Sequence, residues 1–430
     1  MPSAPSSLSW TLLRYYALRG VSWLADQMLQ FLLPVLAYRA TGSLSWTGAM
    51  VAMQWAPRLL SLPVAGLLAD RFPERRVYVV NDVLRFGLGV LACTWAVAVP
   101  GAAYGVVIGF ALVAGVACEQ VLVAGEKMAG SLVPMDAMHR AQSVLSGIEQ
   151  GALLLAPMLG GLLILLGAVP TVFVLTVLFG TSLTLTLTLP RGAGAQRESQ
   201  VVEAAAAPWR HLVGDLVAGV RNVVKVAVLR YVVLATMCVN IMLGVIQSVA
   251  PTLVMGRYGH SEGALGTVYS GAALVAMLTL TTVPRLIGKF GLIRIGVVSA
   301  VLQGVAFTMM GPTIGFLFFA AMTAVFMAGD SVFSVIIRTL RLRVVPAEEF
   351  GRTVAAISML NFVSLPLAGL LLAGVGPILP LTVLIPVVGG AVLVALAFLL
   401  RRLGSLPIVG EQVAGPDRSR EGEPEPAATH

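Results

Sequence analysis

Four carboxylates stand inside long apolar stretches of this sequence: Asp26, Glu119, Glu149 and Asp330. Ionisable side chains in such surroundings are costly and are functional candidates by default. Loss of water would favour the protonated carboxyl group, which could then bind and release a proton near neutral pH. We take the four as proton-coupling candidates, with Asp26 first and Glu149 second. A structural ion pair or a hydrogen bond between helices is the alternative.

Asp26 has polar and aromatic neighbours at helical spacing. Arg19, Trp23, Asp26 and Gln30 follow one another at intervals of four, three and four residues, which places them on one face of a helix. This face could bind a substrate, so Trp23 and Gln30 are candidates for the wall of a binding cavity.

Arg58 needs a partner of opposite charge. It precedes Asp70 by twelve residues, about 18 Å along a helix, which places it near the middle of its apolar run. An unpaired guanidinium is implausible there. We expect a partner among Asp26, Glu149 and Asp330, and we count Arg58 among the cavity candidates.

Two further polar groups stand in apolar runs. Asn240 and Gln247 lie on one helical face with Pro251 and could form hydrogen bonds with a substrate in the second half of the chain. Asp82 and Arg85 are three residues apart, so the spacing favours a local structural pair.

The elements that position these residues follow from the composition. Of the 430 residues 58% are hydrophobic and 11% charged, and the mean hydropathy is +0.91. Soluble proteins carry about 25% charged residues, so lipid is the solvent for most of this chain. The apolar runs, such as 162–189 and 379–400, are long enough to cross a bilayer as helices and do not alternate with period two, which excludes a membrane barrel.

We predict an all-α membrane protein of about twelve spans in two six-helix halves. The halves cover residues 1–189 and 228–402, a cytoplasmic linker with an amphipathic helix at 209–224 covers 190–227, and a disordered cytoplasmic tail covers 403–430. The predicted spans are 14–38, 46–69, 77–99, 102–125, 139–166, 168–189, 228–255, 264–287, 292–311, 314–338, 350–374 and 377–400.

Charge in the loops predicts the orientation. Most Lys and Arg residues of the loops fall on one side of the twelve-span arrangement, whereas the other side offers only Arg39 and Arg257. The positive-inside rule then places both termini in the cytoplasm of a multi-pass protein of the cell's inner membrane. The net charge of +8 does not indicate nucleic acid, because no basic stretch has interleaved aromatic residues.

An internal repeat links the two halves. A shift of 218 positions superposes charged residues, Gly and Ser in one ungapped register: Arg39 on Arg257, Ser43 on Ser261, Gly48 on Gly266, Arg71 on Lys289, and Arg76 on Arg294. A shift of 212 superposes Val133-Pro134 and Arg140 on Val345-Pro346 and Arg352. Parallel repeats of this kind occur in alternating-access carriers.

Two motifs resemble those of the major facilitator superfamily. The segment Gly66-Leu-Leu-Ala-Asp70-Arg71-Phe-Pro-Glu-Arg75-Arg76 is similar to the family's loop between helices 2 and 3, and Pro284-Arg285-Leu-Ile-Gly288-Lys289 is a degraded second copy. The sequence around Ala152, Ala156, Pro157, Gly160 and Gly161 resembles the helix-5 motif of the family's antiporters. The run from Ala56 to Gly66, with Asn81, Asp82 and Arg85, is similar to the branch of macrolide-efflux and siderophore-exporter proteins.

The resemblance implies roles for both motifs. Asp70, Arg71, Arg75 and Arg76 would form a latch that opens when the two halves rock, with a solvated turn as the alternative. Ala156, Pro157, Gly160 and Gly161 would form an antiporter hinge, although ordinary small-residue packing is as good an explanation.

The expected function is export of a small organic molecule, a drug or a siderophore-like metabolite, in exchange for protons by alternating access. Uptake of a nutrient, transport of a metal ion and a non-transporting sensor are the alternatives. The expected partners are the substrate, protons and the lipid bilayer, without nucleic acid, and the functional unit is a monomer. We expect no enzyme activity and no cofactor, because no phosphate-binding Gly-rich loop and no nucleophile–base set is present; the four His and three Cys residues do not have metal-ligand spacing.

Overall fold

The structure is a computed structural model that describes residues 6–133, 138–190, 208–312, 314–345 and 350–404, and these are helical without strands. In chain order the helices are α1 (Ser6–Thr41), α2 (Leu44–Arg71), α3 (Glu74–Ala98), α4 (Ala103–Leu132), α5 (Met138–Leu166), α6 (Ala168–Thr188), α7 (Pro208–Lys225), α8 (Ala227–Pro251, continued by a π-turn at Thr252–Arg257), α9 (Glu262–Leu280), α10 (Val283–Phe290), α11 (Leu292–Met310), α12 (Phe316–Val344), α13 (Phe350–Val375) and α14 (Leu381–Gly404).

Twelve of these helices form the bundle, which confirms the predicted all-α membrane fold. Ten of them are long and apolar enough to cross a membrane. The other two are α1 and α2, with 36 and 28 residues. Polar side chains near their middle, Asp26 and Arg58 among them, make these two helices less apolar than the rest.

The sequence repeat is visible in the ends of the helices. Leu44 and Glu262, the first residues of α2 and α9, are 218 positions apart. The last residues of α4 and α12, Leu132 and Val344, are 212 positions apart, as are the first residues of α5 and α13. The two halves therefore repeat one succession of six long helices.

Two pairs of helices make the most extensive contacts between the halves. Helix α2 packs on α13, and α5 packs on α9. Glycine allows the first approach, because a Cβ atom on Gly48 would lie 2.7 Å from the carbonyl oxygen of Gly369. Close packing of backbones through small residues is the usual way in which helices associate in lipid, where burial of apolar surface contributes little.

One predicted span differs from the structure. Residues 264–287 were expected to form a single helix, but α9 ends at Leu280 and the short helix α10 begins at Val283. Pro284 has no N–H group to donate and its ring clashes with the preceding turn, so it interrupts the helix. Thr281 and Thr282 form the turn between the two pieces.

The region between the halves contains the helix predicted by its amphipathic pattern. Helix α7 packs on α13, where the Asn222 amide lies 3.3 Å from the hydroxyl of Thr353. Its location at the membrane surface stays a prediction. Residues 191–207 of the linker and 405–430 of the tail lie outside the described residues.

Candidate functional site

A cavity of about 380 Å³ lies between the two halves. Helices α1, α2 and α5 line it from the N-terminal half, and α8, α9, α12 and α13 line it from the C-terminal half. Its wall is made of Gln27, Gln30, Phe31, Pro34, Val35, Trp55, Glu149, Gln150, Leu153, Pro157, Asn240, Leu243, Gln247, Pro251, Leu265, Tyr269, Ala273, Ala276, Met327, Asp330, Ser331, Phe362 and Leu365. Every long helix that joins the halves contributes to this wall.

A buried ion-pair cluster lies behind the cavity in the N-terminal half. The guanidinium of Arg58 is 2.7 Å from the carboxylate of Asp26 and 3.1 Å from that of Glu119. Arg58 is only 2% exposed, so α1, α2 and α4 surround its charge. The predicted partner Asp26 is present, and Glu119 is a second one. We call these three residues the Arg58 cluster.

The Arg58 cluster has one negative charge more than it has positive charges when both carboxylates are ionised. Charge in a low-dielectric interior is unfavourable, so uptake of one proton would make the cluster neutral. The carboxylate of Asp26 is 18% exposed, and its other oxygen accepts a hydrogen bond of 2.9 Å from the Gln30 amide. Because Gln30 lines the cavity, it links the Arg58 cluster to whatever occupies that space.

Trp55 connects this cluster to the C-terminal half. Its ring lies 5.6 Å from the guanidinium carbon of Arg58, one turn along α2. Its indole N–H donates to the amide oxygen of Gln247 on α8 at 3.2 Å. The ring also stacks on Phe362 of α13, with centroids 5.7 Å apart. Trp55 thus contacts the Arg58 cluster and two helices of the C-terminal half.

Two carboxylates line the cavity itself, one from each half. Glu149 belongs to α5 and Asp330 to α12. Within the described part of the chain neither takes part in an ion pair or a side-chain hydrogen bond. The exposed guanidinium of Arg338, two turns beyond Asp330 on α12, is close enough to interact electrostatically with both.

Another buried network fills the N-terminal half away from the cavity. Asp82 pairs with Arg85, as their spacing predicted, and accepts hydrogen bonds from Ser182 at 2.9 Å and Thr186 at 3.0 Å. Arg85 also contacts the sulfur of Cys118, at 3.3 Å. Since the members of this network come from α3, α4 and α6, it holds the helices of one half together.

One end of the bundle is closed by contacts between the halves. Arg39, at the end of α1, is 3.0 Å from the carboxylate of Glu262 at the start of α9, and it donates to the carbonyl of Ile164 on α5. A Cβ atom on Gly161 would lie 2.7 Å from the backbone oxygen of Glu262. We call this the closed end.

The residues of the helix-5 motif lie where α5 meets α1 and α9. Gly266 of α9 packs against the carbonyl of Pro157, Gly160 packs against Phe31, and Ala156 is fully buried. This placement agrees with close helix packing. Their role as an antiporter hinge stays a prediction.

The opposite end of the cavity is open. The face of α5 that meets α9 at Gly161 lines the cavity at Leu153 and Glu149 and continues, at helical spacing, to Ser146 and Gln142. Both of these polar residues are exposed. We infer that water enters the cavity from this side, and we call it the open end.

The predicted latch is only partly described. The side chains of Asp70 and Arg71 lie outside the described residues, and Arg76 is exposed. Arg75 donates from Nε to the carbonyl of Thr186, at 3.2 Å, and from a terminal nitrogen to that of Leu187, at 2.9 Å. It thus caps the end of α6 within its own half. The switching role of this loop stays a prediction.

The structure brings together most of the residues predicted to form a site. Gln30, Glu149, Asn240, Gln247 and Asp330 line the cavity. Asp26, Arg58 and Glu119 lie behind this wall.

Trp23 is not part of that cavity wall. It is packed against the guanidinium carbon of Arg19, 4.1 Å from the ring centre, inside the N-terminal half. Trp23 shares a helical face with Asp26 and Gln30, but at Trp23 this face points into the N-terminal half and not into the cavity.

Sequence reasoning missed the aromatic part of the site. Trp55, Tyr269 and Phe362 line the cavity, and none of them was a candidate. Trp55 stands three residues before Arg58, on the same helical face, and that spacing could have identified it. Tyr269 and Phe362 carry no comparable signal, since aromatic residues are common throughout apolar helices.

Comparison with known proteins supports the fold and the family. The nucleoside transporter NupG is similar in structure, with 15% identity and a TM-score of 0.71 over 92% of this chain and 99% of that one. A bacterial homologue of the iron transporter ferroportin, in an inward-facing state, is similar with 16% identity and a TM-score of 0.64 over 91% and 97%. A POT family transporter in complex with a thioalcohol-conjugated peptide is 12% identical, with a TM-score of 0.68 over 91% and 95%.

At these identities the likeness to solved structures shows the fold alone. No match was found among curated proteins. Residues 16–369 match the family described as Major Facilitator Superfamily, which covers most of both halves. With two repeated six-helix halves around one central cavity, and with this match, the chain belongs to the Major Facilitator Superfamily.

Proposed function

We propose that this transporter exports a small organic molecule, a drug or a siderophore-like metabolite, in exchange for protons. The observation that supports proton coupling most is the Arg58 cluster, in which one guanidinium is shared by two carboxylates next to the cavity. Its excess negative charge gives a proton a binding place inside the membrane. The proton would come from outside the cell and leave to the inside.

Coupling follows from the position of Gln30. The Gln30 amide donates to the Asp26 carboxylate and also lines the cavity, so the charge of Asp26 strengthens the hold on an amide that can contact a substrate. A proton on Asp26 weakens this hold and lowers the affinity for the substrate, so proton and substrate compete, as exchange requires. A ligand shifts a conformational equilibrium only through its differential affinity for the two states, and this contact supplies such a difference.

The open end is proposed to face the cytoplasm. The Lys and Arg residues of the loops concentrate on that side, and the closed end has few. The protein would then lie in the inner membrane with both termini inside, captured in an inward-open state. Labelling of a single cysteine at exposed Thr281 by an impermeant maleimide checks this orientation: it should react in opened cells only, and reaction in intact cells would reverse the topology.

Proton movement in liposomes tests the proposed function. The purified protein is reconstituted with an internal pH dye, a pH gradient is imposed, and drugs and siderophore-like compounds are added singly. We expect at least one compound to trigger proton flux, and Asp26→Asn to abolish it while the compound still binds. Glu126→Gln is the matched control, since Glu126 pairs with Arg19 at half exposure and does not line the cavity.

Other outcomes would favour the alternatives. Accumulation of a compound together with protons would indicate uptake by symport. Binding without any movement of compound or protons would indicate a sensor. Equal proton flux with Asp26→Asn and the unchanged protein would show that the Arg58 cluster is not the site of proton coupling.

A further inference from the structure

The acidic side chains in the described wall of the cavity have no basic counterpart there. Glu149 and Asp330 reach it from opposite halves, and among the described residues no Lys, Arg or His lines it. The remaining polar groups of the wall are mostly side-chain amides, which carry no charge. A bound molecule is therefore surrounded by two carboxylates without a basic counterpart in the wall.

The nearby guanidinium groups do not offset this charge. Arg58 is buried behind the wall and is already matched by Asp26 and Glu119. Arg338 acts on both cavity carboxylates, but its side chain is exposed at the open end, where water and salt screen it. Arg19 also acts on Glu149 but is paired with Glu126, so five carboxylates face three guanidinium groups around the cavity.

The rest of the wall suits a lipophilic body. Trp55 and Phe362 are stacked with centroids 5.7 Å apart, and Tyr269 contacts Phe31 edge-on at 6.0 Å. Aromatic faces attract organic cations as well as apolar groups. A volume of about 380 Å³ falls within the range of small-molecule sites, roughly 300–1,000 Å³.

A small inorganic cation fits this wall poorly. Divalent hard metal ions need about six oxygen ligands, and the wall offers one carboxylate on each side of a wide space. Within the described part of the chain, no group of three or more His, Cys, Asp and Glu residues could hold a metal ion.

We propose that the substrate is a lipophilic organic cation, held with its positive charge between Glu149 and Asp330 and its apolar body against the aromatic wall. This inference rests on the proposed function and narrows its substrate class. Since the two carboxylates belong to different halves, a bound cation contacts both moving parts. Anionic metabolites of the same size are excluded by the same charges.

A series of three compounds with one apolar body and different charge tests the proposal. The purified protein in detergent binds radiolabelled methyltriphenylphosphonium, and unlabelled methyltriphenylphosphonium, neutral triphenylphosphine oxide and anionic triphenylphosphine monosulfonate compete for it. We expect the cation to bind at least tenfold more tightly than the neutral compound, and the anion not to compete. Equal competition by all three, or no binding of the cation, overturns the proposal.

Variants locate the charge selectivity. Asp330→Asn and Glu149→Gln should each weaken binding of the cation at least fivefold and leave binding of the neutral compound unchanged, which shows that the variant is folded. Asp330→Glu keeps the charge and should retain more than half of the cation preference. Glu126→Gln should bind as the unchanged protein does. Displacement of the phosphonium by millimolar Mg²⁺ or Mn²⁺ would identify a metal site and overturn the assignment to organic cations.

The binding measurement uses no gradient and is therefore independent of proton coupling. Charge-selective binding without proton flux in liposomes would support the cation site and refute antiport. Proton-coupled export of compounds that bind without regard to charge would support antiport and refute the cation site.

Discussion

Arg58 is the residue on which the candidate site depends most. Its side chain is 2% exposed, and carboxylates from α1 and α4 are its partners. Two carboxylates for one guanidinium is more than a structural ion pair requires. In the proposed function the additional carboxylate binds the proton, whereas the Asp82–Arg85 pair nearby is balanced in charge and its carboxylate accepts from two hydroxyl groups.

Replacement of Arg58 should be strongly destabilising. Arg58→Met leaves Asp26 and Glu119 without a buried counter-charge, and breaking a buried ion pair from one side costs about 3–5 kcal/mol. Thermal unfolding in detergent measures the loss. Arg58→Met combined with Asp26→Asn and Glu119→Gln removes all three charges and should recover much of it. The control Arg285→Met changes an exposed arginine and should stay within about 0.5 kcal/mol; an equal loss in this control would contradict the prediction.

Pairs of helices set the distance between the halves. In α2 and α13 two glycines face each other, so the backbones approach without side chains between them. In α5 and α9, Gly266 packs on the Pro157 carbonyl in the same way. These crossings position Trp55 beside Gln247 and place Glu149 opposite Asp330.

A methyl group at the α2–α13 crossing should disturb both stability and transport. In Gly369→Ala the new Cβ would lie 2.5 Å from the carbonyl oxygen of Gly48 and 2.6 Å from the Ala52 nitrogen, so the helices must separate. Overpacking of this kind costs about 1–3 kcal/mol. Thermal unfolding and substrate flux are the measurements. The matched control is Gly87→Ala in α3, where a Cβ meets nothing within 4 Å, and an equal loss there would refute the steric explanation.

At the scale of the whole molecule, the closed end determines which side the cavity faces. The Arg39–Glu262 ion pair joins the halves there, with side chains 33% and 12% exposed. Partly exposed ion pairs of this kind contribute up to about 1 kcal/mol. Such an energy is small for folding but changes the populations of two conformations about fivefold.

Loss of this ion pair should open the closed end more often. A single cysteine in place of Val35, which lines the cavity and is 1% exposed, reports the opening when the three native cysteines have been replaced. We expect Glu262→Gln to raise its labelling rate by an impermeant maleimide, added on the closed side, about two- to fivefold. Glu126→Gln breaks an ion pair within one half and should leave the rate unchanged. A similar rise in both variants would show general loosening instead.

The sequence allowed the long helices, the repeat and one partner of Arg58 to be predicted. Spacing along one helix defines a face, and an uncompensated charge on that face demands a partner. The spacing does not show which other helix packs on that face. Glu119, 61 residues from Arg58, and the contact between Trp55 and Gln247 therefore came only from the structure. The break at Pro284 was missed because apolar residues continue on both sides of it.

The described ion pairs that lie within one half are all in the N-terminal half: Arg19–Glu126, Arg58–Asp26, Arg58–Glu119 and Arg85–Asp82. The C-terminal half repeats the helices but contributes Asp330, amides and aromatic rings to the cavity. The two repeated halves thus differ in the groups that they contribute: buried ion pairs lie behind the wall in the N-terminal half, and one carboxylate with amides and aromatic rings lines it from the C-terminal half. Substitutions at Asn240, Tyr269 or Phe362 should consequently change substrate preference and leave the proposed proton-coupling residues, Asp26, Arg58 and Glu119, unchanged.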